Sequence, residues 1–309
     1  MSSPKVSVIL PVYNAAAHLS KAIDSILGQS FVDFELIIVN DGSTDTTREV
    51  LAQYEDPRIK VIHQENLGLP KALNKALAVT QSPYIARQDA DDISLPTRLE
   101  KQVQFLDQNP EYGLIGTWSQ INTPEGPSER RHLHPTSNGQ IQVQLLINNQ
   151  FVHSSVMFRA SCLKTTGYYS EDPEHFPPED YDLWLKIAKY FMVANLPEVL
   201  LHYLEEPNSI SRTKLELINT RAMLMSEQAI DSIPSLHANP DLIKLLIQAS
   251  NGRVCKISFM QFFRLQNAIS KIQVYMNNRF SGEENNIATG IAFLRKQATK
   301  AFIKSHLPV

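Results

Sequence analysis

Residues 1–212 of the 309-residue chain predict an α/β fold with a mostly parallel sheet, and residues 213–309 predict a helical appendage. Three observations lead to this fold class. Short β-branched runs alternate with helical patterns over the first 120 residues, as in strand–helix–strand units with right-handed crossovers. The runs VSVIL and ELIIV are continuously apolar, which is typical of parallel strands covered on both faces. After Lys214 every apolar pattern has helical spacing.

The individual elements follow from these patterns in chain order. Four strands are predicted in the first 120 residues: Val6–Tyr13, Phe34–Asp41, Lys60–Gln64 and Tyr84–Gln88. Two helical faces lie between them, formed by Leu19, Ile23, Ile26 and Leu27 and by Leu69, Leu73, Ala76 and Leu77. The Pro-, His- and Asn-rich stretch from about 120 to 150 predicts a long loop. Residues 154–204 then predict a strand, an acidic loop, a helix from about Asp180 to Lys189 and an extended run to Tyr203.

The composition excludes several classes of protein. With 43% hydrophobic and 20% charged residues, the chain has the make-up of a globular protein and not of a disordered or fibrous one. Its two cysteines, Cys162 and Cys255, exclude a disulfide scaffold and an all-cysteine zinc site, and they suit a reducing compartment. The N-terminus lacks the features of a secretory signal, and no apolar run is long enough to predict a transmembrane helix. We therefore expect a cytoplasmic protein.

The net charge of −3 conceals an asymmetry along the chain. Residues 1–214 carry 18 lysines and arginines against 26 acidic residues, whereas residues 215–309 carry 11 against 6. The acidic first part argues against a nucleic-acid partner, and the basic tail is compatible with an anionic surface.

Three carboxylates in four residues, Asp89, Asp91 and Asp92, follow the predicted strand at Tyr84–Gln88. Such a cluster is tolerated in solvent or when a hard divalent cation neutralises it, and Mg²⁺ or Mn²⁺ usually combines one or two carboxylates with substrate phosphates. A solvated turn in which Asp92 or Ser94 caps the next helix explains the same pattern. The spacing alone favours neither interpretation.

Asp41 ends the second predicted strand, and the next four residues, Gly42–Asp45, open a helix. A tight turn and a helix cap account for Gly42–Asp45. They do not account for Asp41, because a carboxylate at the end of a buried strand needs a partner, and a nucleobase imide N–H or a ribose hydroxyl would serve. Neither a G-x-G-x-x-G nor a Walker A pattern occurs, which excludes nucleotide-dependent dehydrogenases and P-loop ATPases.

Five segments, taken together, resemble a known family. They are VSVILPVYN at 6–14, IVNDGSTD at 38–45, NLGLPKALN at 66–74, DADD at 89–92 and EDYDLWL at 179–185. Their order and spacing are similar to those of the inverting glycosyltransferases of family 2, over about residues 5–204. The resemblance implies the nucleotide-diphospho-sugar transferase fold called GT-A, with a nucleotide-binding half at about 1–120 and an acceptor half at about 121–212.

The resemblance also implies roles for particular residues. The residues implied for donor binding lie at or near the ends of predicted strands: Pro11, Tyr13, Asp41 and Asp89. Asp89 would lie near the ribose and the metal. Pro11 and Tyr13 would line the base pocket, and Asp41 would bind uracil or its equivalent. Asp91 would bind a divalent cation, Mn²⁺ or Mg²⁺, directly. Asp180 would be the catalytic base that takes the proton of the acceptor hydroxyl during one inverting displacement.

The implied activity is transfer of one hexose or N-acetylhexosamine from a nucleoside-diphospho-sugar, expected to be a UDP-sugar. The acceptor would be a glycan or a lipid-linked glycan in bacterial polysaccharide or lipopolysaccharide synthesis. The chain departs from the family at Leu204 and Glu206, where many relatives have an Arg and a metal-binding His. Glu206 would bind the cation itself, or water would complete the metal shell. The departure also motivates an alternative, a non-catalytic nucleotide-sugar-binding or scaffold protein on the same fold.

Three further residues have accessory roles with open alternatives. His153 precedes a stretch that relatives place beside the donor sugar or acceptor, or it is a satisfied histidine at the start of a strand. Glu179 accompanies Asp180, or it marks a helix N-terminus, where acids are favoured. Trp184 lies in the core or contacts the acceptor, and the core is favoured.

The tail combines an apolar stripe with flanking cations. The stripe is Ile291, Leu294, Ala298 and Phe302, and the cations are Arg295, Lys296, Lys300 and Lys304. Such a helix either lies on an anionic leaflet, as in a peripheral protein on the cytoplasmic face of the inner membrane, or packs its stripe on the catalytic domain or a second subunit. A core or dimer surface is expected for Phe262, Phe263, Leu265 and Ile269.

Overall fold

The computed structural model describes residues 3–206, 209–253 and 256–306, without the side chains of residues 210 and 211, and Cys255 lies outside this part of the chain. The chain divides into two compact units. The first comprises Met1–His134 and Phe151–Lys214, and the second comprises Pro135–Gln150 and Leu215–Val309. The first contains the sheet, whereas every regular element described in the second is a helix.

Nine strands in the described part of the chain form the sheet of the first unit. They are β1 Val6–Val12, β2 Phe34–Asp41, β3 Ile59–Gln64, β4 Tyr84–Arg87, β5 Ile93–Ser94, β6 Tyr112–Thr123, β7 Gly126–His132, β8 Met157–Arg159 and β9 Met192–Leu204. Their order across the sheet is β3-β2-β1-β4-β8-β6-β9-β5, and β7 pairs with β6. Strands β1 to β4 are mutually parallel, β8 runs against β4 and β6, and β9 runs parallel to β6. The prediction of a mostly parallel α/β sheet is confirmed.

Seven helices of the first unit accompany these strands. They are α1 Leu19–Leu27, α2 Thr47–Leu51, α3 Leu69–Leu77, α4 Arg98–Gln108, α6 Leu163–Thr166, α7 Glu179–Ala188 and α8 Ile210–Thr213, while α5 Asn138–Leu145 belongs to the second unit. The apolar faces of α1 and α3 are buried, as their spacing predicts. Every residue of β1 and β2 is also buried. This agrees with strands that are covered on both faces.

The strand register places the predicted donor-binding residues at one edge of the sheet. Val12 of β1 pairs with Asn40 of β2, and Ile9 pairs with Arg87, the last residue of β4. Because these strands are parallel, the residues that follow each of them emerge at the same edge. Tyr13 and Asp89 therefore lie at the edge where β2 ends.

The long loop predicted from about 120 to 150 is wrong. Strand β6 continues to Thr123, β7 returns antiparallel beside it with Thr123 opposite Gly126, and α5 follows. The sequence of β7, GPSERRH, has no buried residue. A strand with no apolar face gives no alternating pattern to recognise. Helix α5 was missed because its buried residues include polar ones, among them Asn138 and Gln142.

The second unit has a core of its own. Its remaining helices are α9 Leu215–Asp231, α10 Pro240–Ser250, α11 Phe259–Arg279 and α12 Glu284–His306. Helix α12 lies close to α5, since a Cβ added at Gly290 would come within 2.8 Å of the Val143 Cβ. The N–H of Gly139 donates to Glu283 Oε2 at 2.9 Å. Residues 135–150, which the sequence analysis placed in the acceptor half, thus pack with the helical tail.

The apolar stripe of α12 is buried inside this helical core. Ile291 is 2% exposed, and Leu294 and Ala298 are fully buried, in one cluster with residues of α5, α10 and α11. The flanking cations, Arg295, Lys296, Lys300 and Lys304, are exposed. The stripe therefore already has its partner within the second unit. None of the described helices combines the length and apolar character that crossing a bilayer requires.

Truncation of Leu294 tests this packing. Leu294→Ala is expected to lower the free energy of unfolding by about 2–5 kcal/mol, because it leaves a cavity in a fully buried site. The control is Leu224→Ala in α9, where the side chain is 47% exposed and the expected loss is about 0.5 kcal/mol or less. Urea denaturation of both variants measures the difference, and equal losses would contradict the burial of the stripe.

Candidate active site

The acidic turn, residues 89–92, follows β4 at the edge of the sheet. Carboxylate oxygens of Asp89, Asp91 and Asp92 lie within 4.8 Å of one another. Burial, together with the charge of Asp89, raises the pKa of Asp91 to about 7. Burial and the charges of the other two acids raise the pKa of Asp92 well above its usual value. Asp91 and Asp92 therefore hold their protons to a higher pH than free carboxyl groups do.

A buried arginine holds the first acid of the turn. Arg87 is 1% exposed, and its guanidinium forms an ion pair with Asp89. Ser154 Oγ accepts a hydrogen bond from Arg87 Nη1 at 3.1 Å and from the Asp89 N–H at 3.0 Å. The same hydroxyl donates to Asp89 Oδ2 at 2.6 Å. Arg87 and Ser154 thus fix both the carboxylate and the backbone of Asp89.

A second buried arginine ties the backbone of the turn to its neighbours. Arg98, fully buried at the start of α4, donates to the carbonyl of Arg87 at 2.9 Å and to the carbonyl of Ser154. It also donates to Gln88 Oε1 at 3.3 Å. Gln88 Nε2 in turn donates to the carbonyl of Asp92 at 2.7 Å. These hydrogen bonds hold the backbone of the turn at both of its ends.

The oxygens of the acidic turn fit a hard divalent cation. Asp92 Oδ1 accepts the Leu204 N–H at 2.8 Å, whereas its buried Oδ2 has no hydrogen-bond partner among the residues that the structure describes. A buried carboxylate oxygen without a partner is costly unless a proton or a cation satisfies it. Clustered carboxylates are the ligands that Mg²⁺ and Mn²⁺ take in proteins.

Glu206 adds a fourth acid to this region. Its charge contributes to raising the pKa of Asp91. Its Oε1 lies 3.1 Å from Nε2 of His18, which directly precedes α1. Glu206 therefore lies within electrostatic reach of the acidic turn while it pairs with a histidine from another part of the unit.

The carboxylate of Asp41 is bound by the segment that joins β3 to α3. Asp41 is 4% exposed, and its Oδ1 accepts from Gln64 Nε2 at 2.6 Å and from the Leu67 N–H at 2.9 Å. Its Oδ2 accepts from the Gly68 N–H at 2.9 Å. The chain thus supplies the partners that the sequence analysis sought in a ligand. A carboxylate has about four acceptor positions, so three protein donors leave room for a further one.

Pro11 and Tyr13 lie at the end of β1. Pro11 is buried in the strand, and Tyr13 is 52% exposed just beyond it. Asn14 then links this end to the turn after β2, because its N–H donates to Ser43 Oγ at 3.0 Å and its Oδ1 accepts the Thr44 N–H at 2.8 Å. The exposed tyrosine and Asp41 are held on neighbouring strand ends by these bonds.

Glu179 and Asp180 begin α7 and differ in their surroundings. Glu179 is 5% exposed, and Asp180 is partly exposed. Burial, together with the negative charge of Asp180, raises the pKa of Glu179 to about 8. Glu179 therefore holds a proton at neutral pH. The N–H of Tyr181 donates to Asp180 Oδ1 at 2.8 Å.

His153 lies against Glu179 as a neutral side chain. Its Nδ1 is 3.6 Å from Glu179 Oε1, and its Nε2 is 3.0 Å from the hydroxyl of Tyr169. Burial, with a smaller effect from the charge of Arg87, lowers the pKa of His153 well below its usual value. The histidine is therefore a polar neighbour of the two acids and not their cationic partner.

Trp184 supports this group from inside the core. The indole is fully buried, and its ring meets four others edge to face at centroid distances of 5.8 to 6.3 Å: Phe151, His153, Phe158 and Tyr169. Trp184 is thus a core side chain in this structure. It fixes the positions of His153 and Tyr169.

The acidic turn and the start of α7 share one electrostatic neighbourhood. The charge of Asp89 contributes to raising the pKa of Glu179, and Asp89 and Asp180 both contribute to raising the pKa of Tyr169. Sequence reasoning missed Arg87 and Ser154 as parts of this site. An arginine in an otherwise apolar strand is a signal for Arg87, because a buried arginine needs an acidic partner. Nothing near Ser154 in the sequence gives a comparable signal.

Sequence comparisons identify relatives of the chain. The family model described as Glycosyl transferase family 2 matches residues 7–166. EpsE of Bacillus subtilis is 36% identical over 229 residues, which cover 72% of this chain and 81% of EpsE. The O-antigen biosynthesis glycosyltransferase WbnJ of Escherichia coli is 36% identical over 217 residues, which cover 68% of this chain and 83% of WbnJ.

Solved structures share the fold. The crystal structure of Staphylococcus aureus TarS 1–349 in complex with UDP-GlcNAc has a TM-score of 0.62 at 18% identity, covering 96% of this chain and 91% of that one. The mannosyltransferase PcManGT from Pyrobaculum calidifontis, in complex with GDP-Man and Mn²⁺, has a TM-score of 0.57 at 18% identity, covering 97% and 87%. At such identities the likeness establishes the GT-A fold alone.

The protonation of Glu179 can be tested through the pH dependence of stability. A carboxyl whose folded-state pKa is raised keeps its proton in the native chain and loses it in the unfolded chain. Glu179 should therefore make the wild type less stable as the pH rises from about 4.5 to about 8. Glu179→Gln removes this effect, so its stability relative to the wild type should rise over that interval. Urea denaturation at several pH values measures the difference, and a constant difference would show that Glu179 is ionised throughout.

Proposed function

The chain belongs to glycosyl transferase family 2 and is a glycosyltransferase, and we propose that it transfers one sugar from a nucleoside-diphospho-sugar to an acceptor hydroxyl with inversion at C1. The observation that carries the proposal is the cluster of Asp89, Asp91 and Asp92 at the sheet edge where β2 ends. A diphosphate with its cation needs such a carboxylate cluster, and an open parallel sheet binds ligands at this edge.

The donor is proposed to be a UDP-sugar that carries a hexose or an N-acetylhexosamine. The UDP-GlcNAc complex of TarS, a chain of the same fold, supports this choice. We assign the pocket for the nucleobase to Pro11 and Tyr13. We assign the hydrogen bond to the base to the lone pair of the Asp41 carboxylate that no protein donor occupies. Asp41 is well suited to this contact because three protein donors already fix the direction of its carboxylate.

A divalent cation, Mn²⁺ or Mg²⁺, is proposed to bind at Asp91. Arg87 and Ser154 already bind Asp89, so the direct contact is assigned to Asp91, with Asp89 beside it and Glu206 as a candidate further ligand. The Mn²⁺ complex of PcManGT supports this assignment. When bound, such a cation neutralises the charge that develops on the departing diphosphate.

Asp180 is proposed to be the catalytic base. The acceptor oxygen forms its bond to C1 as the bond between C1 and the β-phosphate oxygen breaks, and Asp180 takes the acceptor proton. Glu179 is the poorer candidate because it is buried and already holds a proton. Its place beside Asp180 is instead that of a neutral neighbour, which spares the base a second adjacent negative charge.

The acceptor is proposed to be a glycan or lipid-linked glycan of a bacterial surface polysaccharide. The similarity to WbnJ, an O-antigen biosynthesis glycosyltransferase, supports this class. A screen of UDP-, GDP- and dTDP-sugars for release of nucleoside diphosphate identifies the donor, and NMR of the product shows whether C1 is inverted. Donor binding without transfer to any acceptor glycan would favour the alternative, a nucleotide-sugar-binding or scaffold protein.

Asp180→Asn tests the base. The variant should bind UDP as the wild type does and lose transfer by roughly 10²–10⁴-fold, because the amide cannot accept the proton. Asp182→Asn on the same helix is the matched control, since Asp182 pairs with Lys186 at 2.6 Å. Initial rates and calorimetry measure both effects. Near-normal transfer by Asp180→Asn would remove this residue from the base role.

Asp91→Asn tests the cation site. Calorimetry should show that Mn²⁺-dependent binding of UDP weakens by roughly 10–100-fold or more. Loss of a residue that only hydrogen-bonds a metal ligand costs that much, and Asp91 is proposed to be a ligand itself. The control is Asp107→Asn, whose side chain pairs with Lys5 near the opposite edge of the sheet and should leave UDP binding unchanged. Binding that stays tight and independent of Mn²⁺ in Asp91→Asn would refute the site.

A further inference from the structure

The first turn of α11 exposes three large apolar side chains in succession. Phe259 is 64% exposed, Met260 is 72% exposed and Phe263 is 67% exposed. These three residues are called the aromatic patch below. Single exposed apolar residues are ordinary, but a group of three on one turn marks a surface that another apolar phase covers.

The aromatic patch stands on an ordered base. The Phe259 ring meets Phe302 of α12 edge to face at 5.0 Å, and Phe302 also stacks on Phe262 at 4.6 Å. A capping box between Ser258 and Gln261 fixes the start of α11. The exposed rings are therefore carried by two packed helix ends, and their exposure is a property of the folded unit.

The two helix ends that carry the patch are basic, and their sequences contain no acid. Exposed cations occur on both helix ends: Lys256, Arg264, Lys300 and Lys304. No aspartate or glutamate occurs from residue 256 to 282, or from 285 to 306. Apolar side chains at the tip and cations around them form the pattern of surfaces that insert among lipid headgroups.

A second copy of the chain fits this surface less well. A two-fold contact places the same patch of both copies face to face. It would bring the two sets of cations together, neither helix end supplies an acid to balance them, and like charges across an interface cost affinity. An anionic bilayer has the opposite charge and an apolar interior, so it satisfies both parts of the surface.

We propose that the aromatic patch and its flanking cations dock the protein on an anionic phospholipid bilayer. Phe259, Met260 and Phe263 enter the boundary between headgroups and acyl chains, and Lys256, Arg264, Lys300 and Lys304 remain at the level of the lipid phosphates. This surface differs from the leaflet-binding face that was one of the two alternatives for α12, because the apolar stripe of α12 is buried in the helical core. The docking does not depend on the proposed sugar transfer.

Vesicle co-sedimentation of the full chain tests the proposal. At about 0.1 M salt the wild type should sediment with phosphatidylcholine vesicles that contain phosphatidylglycerol, and much less with phosphatidylcholine alone. The double substitution Met260→Ser with Phe263→Ser should weaken binding about tenfold or more, a loss that corresponds to about 1.4 kcal/mol. Arg264→Gln with Lys304→Gln should weaken it about fivefold for each cation removed.

Val274→Ser is the matched control. Val274 is on α11 and 60% exposed, but it lies about three turns beyond Phe263, so the variant should bind as the wild type does. All substituted side chains are exposed, and circular dichroism verifies that the variants are folded. Equal sedimentation of the patch variants and the wild type would overturn the proposal. So would a dimer, seen by light scattering, that the patch variants abolish while vesicles bind none of the proteins.

Discussion

The site depends on the pairing of the acids in the turn at residues 89–92 with two buried arginines. Three acids at the end of a buried strand would repel one another and oppose folding unless cations lie nearby. Arg87 and Arg98 supply them from inside the protein, where an unpaired arginine would itself be costly. The two requirements satisfy each other. Through Ser154 and Gln88 the same hydrogen bonds also fix the backbone path from β4 to α4. The carboxylates of Asp89 and Asp92 are thus held in place before any ligand arrives.

Two adjacent acids at the start of α7 acquire different properties from the same principle. Glu179 lies among His153, Tyr169 and Trp184, where burial favours the neutral acid. Asp180, one residue further on, is partly exposed. A helix start places neighbouring side chains on different faces, so Glu179 faces the core and Asp180 is left partly exposed. The difference between the two acids follows from geometry and not from residue type.

The sequence predicts where the strands end, but it does not predict which residues bind the acids at those ends. Continuous apolar runs identify β1 and β2, and parallel pairing then implies that the residues after them share an edge. Asp41 ends β2 at this edge, and Asp91 follows β4, which pairs with β1. The donors that bind Asp41 come from residues 64–68, and the hydroxyl that holds Asp89 lies 65 positions away. Such contacts depend on tertiary packing, which no local pattern encodes. Helix α5 escaped notice for the same reason.

In the helical tail, the sequence predicts an apolar helix face but not what covers that face. Helical spacing correctly finds the stripe of α12, but periodicity reports only that a face is apolar and not what covers it. The cover comes from α5, α10 and α11. Once that stripe is satisfied, the cations beside it no longer argue for a membrane by themselves, since exposed lysines are common on any surface. Phe259, Met260 and Phe263 distinguish this surface, because they leave apolar area exposed within the described residues on helix ends that carry exposed cations.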